Sequence, residues 1–367
     1  MRQSYWENIL YRQHYDLIVV GAGLTGASTA FFYKKEHPKA KVLVVDRGLF
    51  PAGASTRNAG FACIGSIGEL LADLNIDSEE SLKSRIRSRY EGLKLLRSTL
   101  GDEAIEYNDC GGWEIFTEQD KFEEAAGNIP KFNEWMEELI GISECYKAGE
   151  FEGYPAIFNA AEGALNTGKM VRRLMDLLIE AGIEIRWETK VIELDEDEGF
   201  IKTENGLELT AEKVVLATNA FTSSITKKEE IKPGRGFVFV TNSVAELPWK
   251  GTFHFNEGYT YFRNVGDNKL LLGGARDVDY ETETTSEFGI NSTIKNQLIK
   301  FANEVIKLPE GWEIELEWSG IMGFTESKNA RKEWIGKRTL EVAGLSGMGV
   351  ALGMQLGFSA SEMLRVN

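Results

Sequence analysis

The stretch YDLIVVGAGLTGASTAFFYKKEHPKAKVLVVDRGLFPAGASTRNAGF, Tyr15 to Phe61, decides the fold. Asp16–Val20 is a β-branched apolar run, and GAGLTG follows with glycines at 21, 23 and 26. An amphipathic run to about Tyr33 predicts a helix, and Lys41–Val45 predicts a second buried strand ending at Asp46. Gly21 permits a tight strand-to-helix turn, Gly23 lets a pyrophosphate approach the backbone, and Gly26 lets the helix pack on the strand. The helix start, with Leu24 and Thr25, offers free N–H groups and partial positive charge to phosphates. Asp46 is placed to accept hydrogen bonds from a ribose diol. Strand, turn, helix and acid agree on a dinucleotide, and they leave open whether it is NAD or FAD.

Around this unit, composition narrows the class. A chain of 367 residues exceeds a usual single core, which predicts two domains. A net charge of −16 argues against nucleic acid or an anionic membrane surface as partner. No segment has the apolar length of a membrane span and the N-terminus lacks a signal-peptide core, so cytoplasmic location is the expectation. Cys63, Cys110 and Cys145 form no CxxC and no disulfide framework, and with only three histidines there is no readable metal site.

After Asp46 and Arg47 the sequence GLFPAGASTRNAGFACIGS is rich in small residues, with Ser55, Thr56 and Asn58 as short polar side chains. Such a loop suits the wrapping of a polar ligand. Farther on, helices are predicted over Asp77–Leu100, with Asp77 as cap, and over Glu118–Ile140, interrupted near Gly127–Pro130. Another covers Gly168–Ala181, with Gly182 as its stop. Strands follow at Glu184–Trp187 and Lys190–Leu194, a hairpin turns at Asn205-Gly206, and Lys213–Ala217 runs into Thr218. From Lys232 the chain becomes strand-rich and aromatic. Near the end, GLSGMGVALGMQLG places Gly347, Met348, Gly349 and Val350 at a helix start with exposed N–H groups.

GAGLTG, Asp46-Arg47 and GASTRNAG together resemble the D-amino-acid-oxidase-like family of FAD-dependent oxidoreductases. Glycine oxidase, sarcosine oxidase and γ-glutamylputrescine oxidoreductase are among its members. The resemblance implies FAD as the dinucleotide, with Ala54–Gly60, including Ala59, lying along the pyrophosphate and flavin. It places Val191 against the adenine, Thr218 near the dinucleotide, and the Gly347–Val350 segment at the pyrimidine end of the flavin. It also implies an α/β Rossmann-like FAD-binding domain assembled from 1–98, 146–230 and 331–367. An antiparallel-sheet substrate domain of α+β type is then built from 99–145 and 231–330.

For the reaction, the resemblance implies oxidation of an amine or amino acid C–N bond by hydride transfer to flavin N5. Oxygen or another acceptor re-oxidises the cofactor. Tyr259 and Tyr261, two apart, are expected to share a strand face lining the substrate site. Trp318-Ser319-Gly320-Ile321-Met322-Gly323-Phe324-Thr325 carries Met322 near the position where glycine-oxidising members have an arginine. That departure is similar to the γ-glutamylputrescine branch and favours a primary amine over a small D-amino acid, with Arg263 or Arg276 as possible substitutes for the missing anchor. Phe237 stands where the family commonly has glutamine. The resemblance implies covalent flavin attachment only through a histidine in the first FAD region or a cysteine in the C-terminal half; no histidine lies between Gly48 and Gly65 and no cysteine follows Cys145, so FAD is expected to be non-covalent. The alternatives are an NAD(P)-linked Rossmann dehydrogenase and a flavin-binding protein with a degenerate active site.

Overall fold

Two eight-stranded sheets dominate the computed structural model, which describes residues 4–11, 14–244, 247, 249–266 and 268–365. In the first sheet, His14–Val20 lies at the centre, paired in parallel with Val42–Val45 on one side and Glu208–Leu216 on the other. Glu184–Arg186 extends one edge, and Thr339–Ala343 followed by Arg331–Trp334 extends the other. Both faces of this sheet are covered, which is why its strands read as unbroken apolar runs. Leu17, Val19, Val42 and Val44 face a helical layer, whereas Ile18, Val20, Leu43 and Val45 face the meander built from Val191–Asp195 and Phe200–Thr203.

The helical layer is held by glycines at close approaches. The helices Leu24–Glu36 and Gly349–Met363 lie against each other. A Cβ built at Gly357 would sit 2.6 Å from the Thr25 carbonyl oxygen, and one at Gly353 would sit 2.9 Å from Leu24. The two helices therefore touch at near-backbone distance, and their N-termini open side by side. The long helix Glu79–Leu100 packs on Gly349–Met363 through Gly92 in the same way. Its cap is Ser78, whose hydroxyl accepts from Ser81 N at 3.2 Å, and not Asp77 as expected. Asp77 instead takes the Ser81 hydroxyl and the Arg85 guanidinium.

The second sheet runs in the order Ile314–Phe324, Lys232–Thr241, Lys269–Gly274, Thr260–Val265, Thr252–Phe255, Gly112–Ile115, Tyr154–Asn159 and Tyr146–Phe151. Neighbours are antiparallel except for the Thr252–Phe255 and Gly112–Ile115 pair. One face packs on helix Ser292–Glu304 through Phe237, Phe239, Phe253, Phe262, Leu298 and Phe301. The strands at 146–159 belong to this sheet, so the expected boundary at 145/146 falls too early. Their signal is weak because Tyr146–Phe151 is an edge strand whose four central residues are exposed and polar or small. Among the described residues, no helix is long and apolar enough to cross a membrane.

Candidate active site

The other face of the second sheet looks across at the carboxyl end of the first sheet, and between them lies a cleft of about 2220 Å³. Gly21 begins the turn at its floor with φ +105°, and a Cβ there would lie 2.5 Å from the Ala217 carbonyl oxygen. At Gly26 a Cβ would fall 2.0 Å from Gly21 O, so this glycine closes the helix onto the turn and does not itself line the cleft. Gly23, Leu24 and Thr25 do line it. No side chain of Gly23 caps the first helix, and Ser55 Oγ reaches over to accept from Leu24 N at 2.8 Å. The second helix N-terminus, behind Gly347 and Met348, also lacks a side-chain cap, and Gly347–Val350 line the same cleft. The first helix start, with Leu24 N taken by Ser55, and the uncapped second start face one cavity, and their remaining N–H groups favour an anion there.

Asp46 is held by two backbone donors, Ala22 N to Oδ2 and Gly48 N to Oδ1, both at 2.8 Å. A carboxylate has about four acceptor sites, so two remain for a ribose diol. Arg47 stacks its guanidinium 3.7 Å over the Phe221 ring beside it. Val191 and Thr218 line the same end, with the Thr218 hydroxyl 3.0 Å from that of Thr222. Asn219, which sequence reasoning passed over, accepts from Gly344 N at 3.3 Å and so links the second and third cleft-forming segments.

The Ala54–Gly60 loop is a one-turn helix with a rigid exit. Thr56 donates inward to Pro51 O at 2.7 Å. Asn58 donates to the Ala54 and Ser55 carbonyls and accepts from Gly60 N at 2.9 Å. Ser55, Asn58 and Ala59 line the cleft, whereas Thr56 and Gly60 support it from behind. Arg57 clamps the loop to the second sheet, donating to Ser319 O at 2.8 Å while its own carbonyl accepts from Trp318 Nε1. Arg263 does the same from the far side, donating to the Gly60 and Leu165 carbonyls at 2.8 and 3.1 Å. It does not line the cleft, so it is no substitute for the missing substrate anchor.

On the second sheet, the cleft face carries Val238, Tyr261 and Met322. Tyr261 lies edge-on to Phe61 at 5.5 Å, and burial raises its hydroxyl to about 12, so it stays neutral. Tyr259 falls outside the strand, which begins at Thr260, and stands 42% exposed at the rim. The shared strand face is therefore replaced by one deep tyrosine and one at the mouth. Met322 reaches over Gly236, where a Cβ would come 3.1 Å from its Cε. Phe237 points the other way and is fully buried in the second core. Strand alternation carries it away from the cleft, and its departure from glutamine leaves the site untouched.

Arg276 is the residue that geometry brings forward. It is 8% exposed, lines the cleft, and is sandwiched between the rings of Tyr280 at 4.1 Å and Phe324 at 4.4 Å. Its Nε is buried without a hydrogen-bond partner, and among the described residues no carboxylate pairs with it. Gly234, across the ladder from Met322, makes the room: a Cβ there would lie 2.8 Å from Arg276 Cζ.

Comparison with known proteins agrees with this architecture. The model of the FAD-dependent oxidoreductase family matches residues 16–363. The chain belongs to that family. It is an enzyme, and FAD is its cofactor. The NAD(P) alternative falls with this finding. Glycine oxidase of Bacillus subtilis (strain 168) is 22% identical over 96% of this chain and 94% of its own length. Among solved structures, glycine oxidase from Geobacillus kaustophilus superposes with a TM-score of 0.76 at 19% identity, covering 96% of this chain and 95% of that one. L-proline dehydrogenase from P. horikoshii gives 0.75 at 16%, covering 96% and 93%.

Proposed function

We propose that this oxidoreductase oxidises the C–N bond of an amine that carries a carboxylate, an amino acid, to the imine. The observation that carries the reading is Arg276, a buried guanidinium facing the cleft with no acid of its own among the described residues. An unpaired buried charge is costly, and a substrate carboxylate relieves it with charge-assisted hydrogen bonds. This reverses the preference for a primary amine over an amino acid, which rested on Met322 and the pattern of Trp318–Thr325 around it. The names of the similar enzymes, glycine oxidase and L-proline dehydrogenase, fit the same substrate class.

Bound FAD supplies the hydride acceptor. The protein's share is placement and exclusion of water. Arg276 holds the carboxylate, its plane set by Tyr280 and Phe324. Met322 and Val238 give the reacting carbon an apolar floor, and Phe61 with Tyr261 closes one side. Cys63, the thiol nearest this region in the loop, is pushed well up by burial and is a poor nucleophile. In this reading FAD is held by non-covalent contacts, the expected ones being those of Gly21–Thr25, Asp46, Arg47, Ser55, Asn58, Val191, Thr218 and Gly347–Val350.

An anaerobic panel tests the reading: purified holoenzyme is mixed with amino acids and with their decarboxylated amines, and flavin bleaching is followed. Bleaching by the amino acids and not by the amines is expected; the opposite order refutes the role of Arg276. Flavin colour released to the supernatant by acid is expected, and colour kept in the pellet contradicts non-covalent binding.

A further inference from the structure

By strand register, four glycines of the second sheet look toward the cleft, and three of them lie under groups that are fixed in place. Gly234 lies under Arg276 and the Phe324 ring, and a Cβ there would be 2.8 Å from Arg276 Cζ. Gly320 lies under Arg57, with a Cβ 3.1 Å from that of the arginine. Gly273 lies under Tyr261, whose Cε2 would be 2.8 Å away. Gly236 is different. A Cβ there would meet the Cε of Met322 at 3.1 Å and, apart from its chain neighbours, no other atom within 4 Å. Met322 pairs with Gly234, so its side chain reaches diagonally across the ladder to cover Gly236. A methionine turns about three soft bonds, so the place over Gly236 is filled by a group that can move away.

We propose that the substrate is an amino acid with a large apolar side chain, such as leucine or phenylalanine, which pushes Met322 aside and lies over Gly236. The inference rests on the reading of Arg276 as the carboxylate anchor. Arg276 is also the independent sign of a ligand at this spot, being 8% exposed with its Nε buried and unpartnered. Its guanidinium stands over Gly234, and Gly236 is two residues along the same strand, about 7 Å away. Four or five carbon–carbon bonds span about 5–6 Å, so a side chain of that length reaches from a carboxylate on Arg276 to Gly236.

The surroundings select an apolar group. On the inner side Val238 is buried in a cluster with Ala59 and Leu271, against which Phe61, Tyr261 and Trp318 pack. The charged residues nearby are committed or stand in water. Arg57 donates to the Ala52 and Ser319 carbonyls and lies over the Phe288 ring. His254, paired in register with Tyr261, has its Nε2 2.8 Å from Oε2 of the buried Glu162. Lys232 and Glu257 line the rim and are exposed. A charged side chain over Gly236 would therefore be desolvated without a partner, whereas an apolar one only sheds water. Glycine gains nothing from the place, because it has no side chain to put there.

The test is anaerobic flavin reduction of the holoenzyme by glycine and by both enantiomers of leucine, phenylalanine, aspartate and lysine. One enantiomer of leucine or phenylalanine is expected to exceed glycine about 10- to 100-fold in kcat/KM, the worth of burying such a side chain. Aspartate and lysine are expected to fall below glycine. Glycine as the best substrate, or a charged amino acid ahead of the apolar ones, overturns the proposal. G236V reads the location, since its methyl groups occupy the same place on a strand that accepts a β-branched residue. The ratio of the best apolar substrate to glycine should fall about 10-fold in G236V. An unchanged ratio at native flavin content overturns the assignment. M322A enlarges the place from the other side and should raise the ratio of tryptophan to leucine; an unchanged or lower ratio counts against the proposal in the same way. If decarboxylated amines bleach the flavin and amino acids do not, the Arg276 reading is refuted first and this inference falls with it. Amino acids that bleach with glycine foremost leave Arg276 standing and sink this inference alone.

Discussion

Replacing Arg276 by methionine separates its two costs. In the protein without substrate, the guanidinium is 8% exposed, has no carboxylate partner among the described residues, and is compensated by the rings of Tyr280 and Phe324. Each ring contact is worth roughly 0.5–2 kcal/mol, while burying an unpaired cation costs several. R276M should therefore be as stable as the native protein or more so, by roughly 1 kcal/mol, with similar volume and no cavity. With a carboxylate substrate the balance reverses, because the variant must bury an anion unpaired. Truncating one side of such a pair costs about 2–5 kcal/mol, or roughly 30- to 5000-fold. The assay is anaerobic stopped-flow reduction of an amino acid and of its decarboxylated amine by native and variant holoenzyme, with urea unfolding alongside. The loss of kcat/KM should fall on the amino acid alone, leaving the amine within a few-fold. Equal losses for both, or a variant that is markedly less stable, would refute the reasoning and make Arg276 a structural residue.

Three further outcomes are expected. G26A should purify without flavin, since its Cβ would lie 2.0 Å from Gly21 O and push the turn apart; absorbance at the flavin bands checks it, and full occupancy contradicts the packing argument. E114Q should flatten the dependence of stability on pH. The folded Glu114 titrates near 7, above its unfolded value, so the native protein loses stability as pH rises from about 4.5 to about 7, by about 3 kcal/mol. His254, also raised, adds a loss in the same direction as pH climbs through its folded titration. Urea midpoints for native and E114Q at pH 5 and pH 8 give the difference, and parallel slopes would exclude it. F237Q, which restores the glutamine common in the family, should cost roughly 3 kcal/mol by burying an amide in the aromatic core of the second sheet. Flavin reduction by the folded fraction should be unchanged, and an altered rate would mean that the residue reaches the cleft.

The sequence by itself determined the dinucleotide turn, because every part of it lies within Tyr15–Asp46 and each glycine has a local reason. It also determined the strands with sharp turns, such as the hairpin at Asn205-Gly206, and the helix break within Gly127–Pro130, where Gln119–Gly127 gives way at Asn128 to Ile129–Ile140 with Pro130 in its first turn. Resemblance carried the reading from a dinucleotide to FAD. Tertiary structure decided which side chains meet. Phe237 looked like a missing anchor until strand pairing put it on the far face. Arg263 and Arg276 looked equivalent after their strands, yet one ties two backbone carbonyls and the other stands unpaired in the cleft. His254 and Glu162 are 92 positions apart, and no spacing in the chain announces that they touch. Local backbone demands leave their mark on neighbouring residues. The pairing of distant side chains depends on register and sheet order, and only the folded chain settles those.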